Sequence, residues 1–289
     1  MIAVTLAVLA AVSNALASVL QRHAARTAPA NRTSPLGLMR YLIRRPVWLY
    51  GIGALIAGFL FQVAALSQAG LALVQPILVT ELPFTMIFIA WLFRIRLGTE
   101  SWLAIGALTV GLVVLLVAAG PTEGDRLPHR AGWAIATVVT IGVIGGLVAF
   151  AAILRGEGRA VVLGVAAGLG FAFTAALMKE ATKVLAEDPY SLLTSWPAYA
   201  MVAAGLCSLL LLQYALRSGT LVAVQPALNV SDPVASIAYG VGLFGEEIRL
   251  EAWAVPEVVG VGLILYGSIR LAQSPPLRRH EPVTPPPET

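Results

Sequence analysis

The stretch LALVQPILVTELP, Leu71 to Pro83, returns later in the chain as LVAVQPALNVSDP, Leu221 to Pro233. Each copy sets a Gln-Pro pair seven residues ahead of a second proline, and Gln75/Gln225, Pro76/Pro226 and Pro83/Pro233 are all offset by 150. Both copies lie in membrane-length apolar runs, and each carries one carboxylate near its centre, Glu81 or Asp232. A carboxylate at bilayer depth is costly to keep and is retained mainly for function. A duplicated helix pair with acids and prolines at mid-membrane is the pattern of a transporter.

Working outward, the repeat extends beyond this frame. Ala65-Leu66 matches Ala215-Leu216, and the charged turn before Trp102 matches the one before Trp253. A weaker match pairs Val19-Leu20-Gln21-Arg22 with the stretch ending at Lys179. Apolar runs of about 20 residues suffice to span a bilayer. Nine are predicted, at 2–20, 47–67, 71–93, 102–120, 131–154, 160–178, 195–216, 219–243 and 252–272. The expected fold is an all-α integral membrane protein in which spans one to four repeat as spans six to nine, with span five as linker. An offset of five spans inverts orientation, so the halves form an inverted repeat. The expected organisation is a first membrane half at 1–154, a second at 155–272 and a Pro-rich tail at 273–289 that has no fixed fold.

Composition fits this reading. The chain is 58% hydrophobic and 12% charged with a mean hydropathy of +0.84, whereas soluble domains carry about 25% charged residues. The lipid bilayer is thus its main partner, and a net charge of +4 is no nucleic-acid signal. The only cysteine, Cys207, excludes an intrachain disulfide. Arginine outnumbers lysine, which is found only at 179 and 183, and this bias points to a bacterial cytoplasmic membrane. Basic residues gather in alternate loops: Arg22, Arg26, Arg32, Arg40, Arg44 and Arg45, then Arg94, Arg96, Arg155, Arg159, Arg217 and Arg270. Acids gather in the others, at Glu123, Asp125, Glu187, Asp188, Glu246, Glu247 and Glu251. The positive-inside rule then puts the amino terminus outside and the carboxyl terminus in the cytoplasm. The run 34–45, with Ser34-Pro35 at its start, reads as a short interfacial helix. The first span is expected to be retained rather than cleaved as a signal peptide, because its basic residues follow the apolar run.

A helical proline leaves the carbonyl four residues earlier without its donor. Pro76, Pro83, Pro226 and Pro233 are therefore expected helix breaks that free the carbonyls of Ala72, Val79, Val222 and Asn229. With Glu81, Asp232, Asn229, Gln75, Gln225 and Thr80 they make an oxygen-rich site, and Asn14 and Thr174 are candidates for the same cavity. Such ligands suit a hard cation such as Mg²⁺, with Glu81 and Asp232 as the metal-binding pair. A bound proton would equally balance the acids. Each element also has a plainer reading: proline as a kink, Asn14 and Thr174 as interhelical hydrogen bonds, Lys179 and Glu180 as side chains snorkelling from a span end. The Gly142–Gly146 and Gly164–Gly168 spacings indicate close helix packing and leave a homodimer open. His23, His129 and His280 lie in loops or the tail, and no metalloprotease or Ser/Lys motif is present, so the chain is not expected to be an enzyme. No cofactor is expected, and Mg²⁺ or H⁺ enters only as transported or coupling ion.

Several motifs together resemble the drug/metabolite transporter superfamily, and within it the NIPA-type magnesium transporters. They are Ser13-Asn14 with Val19-Leu20-Gln21-Arg22, Leu73-Val74-Gln75-Pro76 with Leu82-Pro83-Phe84 and the turn Arg94–Arg96, and Phe173-Thr174 with Lys179. The resemblance covers roughly 4–272. It implies nine spans with the amino terminus outside and a secondary transporter of a divalent cation working by alternating access. Glu81 and the run from Gln225 to Pro233 depart from that family's pattern. They point to a bacterial relative and keep a second reading open, a proton-coupled exporter of a small metabolite or drug.

Overall fold

Helices form wherever the sequence is apolar and free of turn residues. The computed structural model describes residues 1–26, 43–94, 96–122, 124, 128–188, 190–247 and 254–273. The expected interfacial helix (34–45, but for 43–45) and the tail beyond Gln273 lie outside them, as do Glu123, Asp125, Arg249, Glu251 and Trp253. The helices are α1 (Ile2–Arg26), α2 (Pro46–Leu66), α3 (Leu71–Leu78), α4 (Glu81–Leu92), α5 (Thr99–Ala119), α6 (Arg130–Ile153), α7 (Gly156–Glu187), α8 (Trp196–Ser218), α9 (Leu221–Tyr239) and α10 (Ala254–Ala272). Pro46 opens α2 at a first-turn position where its missing N–H costs nothing. A π-helical turn, Gly240–Phe244, extends α9.

Among the described residues, eight segments are long and apolar enough to cross a membrane, with α3 and α4 counted as one. The chain is a multi-pass membrane protein. The expected span without a counterpart among these eight is the eighth, 219–243, which corresponds to α9; it has the length but not the apolarity, since Gln225, Asn229, Ser231, Asp232 and Ser236 all lie in it. It packs against α7, α10 and α3, which provide polar partners that lipid lacks. Helix α7 overruns the expected 160–178 at both ends. Its 32 residues reach about 48 Å at 1.5 Å per residue.

Small residues set the packing, as expected where lipid removes the hydrophobic driving force between helices. Ala7, Ala11 and Ala15 recur every fourth residue of α1 and are fully buried, and α1 packs along α2 and against α3 and α4. In the second half α7 packs along α8 and α9, and α5 of the first half packs along α10 of the second. At that last crossing a Cβ on Gly111 would lie 2.8 Å from the Gly260 carbonyl oxygen, and one on Gly260 would lie 2.9 Å from that of Gly111. Any side chain at either position would force the helices apart. The two Gly-x-x-x-Gly spacings have different fates. Gly164 and Gly168 face α9, at Val224 and Ser231, whereas Gly142 and Gly146 have nothing near them on α6. Ile135, Val138, Val139 and Ile141 of α6 are likewise open, as a lipid-facing helix requires.

The ends of the bundle alternate with the chain. At one end Met1, Ala3 and Val4 meet Gln68 to Gly70 and Pro121-Thr122 around a cavity of about 220 Å³. At the same end Thr122 pairs with Glu247 through an antiparallel backbone bridge, its N–H donating to the Glu247 carbonyl at 3.0 Å. At the other end the His23 ring lies 5.6 Å from Phe93, and Thr220 meets Glu157. These are called below the Met1 end and the His23 end.

Candidate functional site

The repeated Gln-Pro frame takes two different shapes. In the first copy the helix is interrupted at Val79-Thr80, between α3 and α4. Pro76 stays inside α3, and Pro83 sits in the first turn of α4. The carbonyl of Val79, expected to be free, accepts the Leu82 N–H at 3.2 Å, and the carbonyl of Ile77 accepts the Thr80 N–H at 3.0 Å. The chain thus satisfies its own acceptors by tightening to i+3 bonds, a standard adjustment at helix ends. Thr80 Oγ1 also donates to the Ile77 carbonyl at 2.7 Å, so its hydroxyl faces its own backbone. In the second copy Pro226 and Pro233 lie inside an uninterrupted α9, which corrects the expected breaks there. Each ring removes one N–H, and packing against α7 and α10 holds the helix together across the gap.

Glu81 opens α4, where the partial positive charge of a helix N-terminus favours a carboxylate. It is half-buried, and Ser18 Oγ of α1 donates to its Oε1 at 3.4 Å. Asp232 on α9 accepts from Ser236 Oγ, one turn on, at 3.2 Å. Asp232 also lies beside α7, where a Cβ on Gly168 would lie 3.1 Å from its backbone nitrogen. Glu81 thus contacts α1, and the backbone at Asp232 lies against α7. Among the described residues no group of three or more His, Cys, Asp or Glu comes together as a metal site.

The amides form a second feature. Gln225 Nε2 donates to Asn229 Oδ1 at 3.3 Å, and Asn229 Nδ2 donates to Ser268 Oγ of α10 at 3.4 Å. Gln75, at the matching position of the first copy, is 4% exposed, and its Nε2 has no hydrogen-bond partner among the described residues. A buried amide donor left unsatisfied costs roughly 1–3 kcal/mol, so Gln75, like Gln21 with its own buried and unpartnered Nε2, has a donor open to a polar guest. Asn14 lies against Gly58 of α2, where its amide takes the space a Cβ would need. Thr174 Oγ1 donates to the Gly170 carbonyl at 2.8 Å. Both therefore have local packing roles.

One polar cluster was not expected from the sequence. Lys179 is 3% exposed rather than snorkelling, and its Nζ lies 2.8 Å from Glu246 Oε1. It cannot reach the interface because α7 continues to Glu187, about two turns farther. Glu246, 2% exposed, also accepts the N–H groups of Leu71 at 2.7 Å and Ala72 at 2.9 Å, the first two of α3. Phe244 lies against the same group, 5.0 Å from Lys179 Nζ and 4.8 Å from Lys183 Nζ. Its ring also stacks edge-on to Trp133. The sequence signals were there: the chain's two lysines one turn apart, and Glu246 just after a glycine pair around Leu243-Phe244.

No family model matches the chain, and no solved structure matches it. An uncharacterized protein of Corynebacterium glutamicum is similar to it, 26% identical over 271 residues that cover 92% of this chain and 91% of the relative. The likeness thus spans most of both chains.

Proposed function

We propose that the protein is a secondary membrane transporter that handles a cation, Mg²⁺ in the first reading, by alternating access. The observation that carries this is the pair of carboxylates, Glu81 and Asp232, in the two matching copies of the Gln-Pro frame, the first of which also holds a buried Gln75 with an unpartnered Nε2. The helix pairings support an inverted repeat of spans one to four and six to nine. α1 packs on α2 and on the third span as α7 packs on α8 and α9, while α5 and α10, the fourth and ninth spans, pack on each other. In such repeats the site lies where the halves meet. A second reading is a proton-coupled exporter of a small metabolite or drug. It is favoured because no group of three or more His, Cys, Asp or Glu comes together among the described residues, and a proton needs one carboxylate where a metal ion needs several ligands. Flux into reconstituted vesicles decides between them. Mg²⁺ uptake without a proton gradient supports the first reading, and organic-cation flux that needs the gradient supports the second. Flux of neither rejects transport of these classes.

The Met1 end is taken as the outside and the His23 end, with Arg45, Arg94, Arg155 and Arg217, as the cytoplasmic side of a bacterial membrane. In a Cys207→Ala background, a cysteine at the exposed Tyr190 is expected to react with an impermeant thiol reagent in intact cells. One at the exposed Gly158 is expected to react only after lysis. The opposite pattern reverses the orientation.

A further inference from the structure

The Lys179–Glu246 pair joins three segments at the Met1 end. Lys179 belongs to α7, Glu246 follows the π-helical turn after α9, and the Leu71 and Ala72 N–H groups open α3. The first half of the chain is thus tied to the second through one carboxylate. The site is built for that carboxylate. A Cβ on Gly70 would lie 2.5 Å from its carbon, and a Cβ on Gly240 would also collide with it. Gly245 has a left-handed backbone, φ 67°, and the Glu246 N–H returns to the Gly240 carbonyl at 3.0 Å, so the turn aims the side chain inward. The Thr122–Glu247 bridge closes over it.

At the matching place of the His23 end, among the described residues, the N-terminus of α9 is met by Glu157, whose carboxylate accepts the Thr220 N–H at 3.3 Å and its Oγ1 at 3.2 Å. Glu157 and Thr220 are exposed and both belong to the second half. A buried ion pair adds little net stability over apolar packing, and its best-attested use is to specify one of two arrangements. The interruption at Val79-Thr80 makes α3 a short segment distinct from α4.

We propose that Lys179, Glu246 and the N-terminus of α3 form a latch that holds the Met1 end of the transporter shut, and that it opens when α3 parts from the turn after α9. The inference rests on the alternating-access reading, and it identifies the gate that reading leaves unnamed. The two residues are positioning residues, since neither need touch the cargo.

The test uses two reporters in the purified full chain with Cys207→Ala. Val74→Cys lies in α3, fully buried in the cluster that holds Leu71 and Phe244. Val224→Cys is its repeat partner 150 residues on, fully buried near the His23 end of α9. The latch is removed by Lys179→Met with Glu246→Gln together, which leaves no unpaired buried charge to unfold the protein. Thiol labelling of Val74→Cys is expected to quicken at least tenfold, with Val224→Cys unchanged or slower. Lys179→Arg is expected to keep Val74→Cys slow. The charge swap Lys179→Glu with Glu246→Lys is expected to stay fast, because an ammonium is repelled by the N-terminus of α3. Unchanged labelling of Val74→Cys in the double variant overturns the latch. So does an equal rise at both reporters, which would mean general loosening, and so does a swap that restores slow labelling. No substrate is present in these measurements. A latch that opens in a protein with no flux defeats the transport reading alone, and flux with unmoved labelling defeats the latch alone.

Discussion

Glu81→Gln and Asp232→Asn should each leave the protein folded and cripple transport. An amide fits the space of the carboxylate and preserves the observed contact. The oxygen of Gln can accept from Ser18 Oγ as Glu81 does, and that of Asn can accept from Ser236 Oγ as Asp232 does. What is lost is the charge. A hydrogen bond or contact to a charged group is worth roughly 1.5–3 kcal/mol, which converts to about ten- to a hundredfold in affinity. Initial flux at low substrate concentration, measured in vesicles with equal amounts of inserted protein, is expected to fall by that factor in each single variant. If Glu81 carries the coupling proton instead of binding cargo, its variant should retain exchange but lose dependence on the proton gradient. Wild-type flux and gradient dependence in both variants would reduce the acids to packing groups.

The legible part of this chain was what depends on local sequence. Apolar runs gave the spans because a bilayer leaves the backbone few alternatives to helix, and the Gln-Pro frame was visible because both copies kept their spacing. The frame did not say that α3 would break and α9 would not. The two copies have nearly the same prolines, so the difference arises from neighbours: α9 is braced by α7 and α10, whereas α3 is anchored at its N-terminus by Glu246. Lys179 and Glu246 were read as span-end and loop charges because hydropathy measures position along the chain. Their pairing spans 67 residues and depends on a π-helical turn and on glycines at 70, 240 and 245, whose role only three-dimensional proximity reveals. Gly142 and Gly164 make the same point. The same spacing meets open surface in one helix and a neighbouring backbone in the other.

Mg²⁺ should raise the thermal stability of the protein in detergent if the first functional reading holds. A ligand that binds only the folded state stabilises by mass action, about 2.7 kcal/mol at a hundredfold excess over its dissociation constant. The rise should grow with the logarithm of concentration above that constant. Because no third carboxylate or histidine joins Glu81 and Asp232 among the described residues, the ion would keep part of its water shell, as Mg²⁺ commonly does. Binding requires ionised carboxylates, so protons compete and the protection should shrink as pH falls. Glu81→Gln and Asp232→Asn should each remove most of it. Glu100→Gln, an exposed acid at the start of α5 near the His23 end, should leave it intact. Screening of surface charge by salt is common to all cations, so the comparison is with Na⁺ at equal ionic strength. Protection by Mg²⁺ no greater than by Na⁺ would remove the metal reading. The proton-coupled exporter would then account better for the two carboxylates, since a proton needs only one of them where a metal ion needs several ligands.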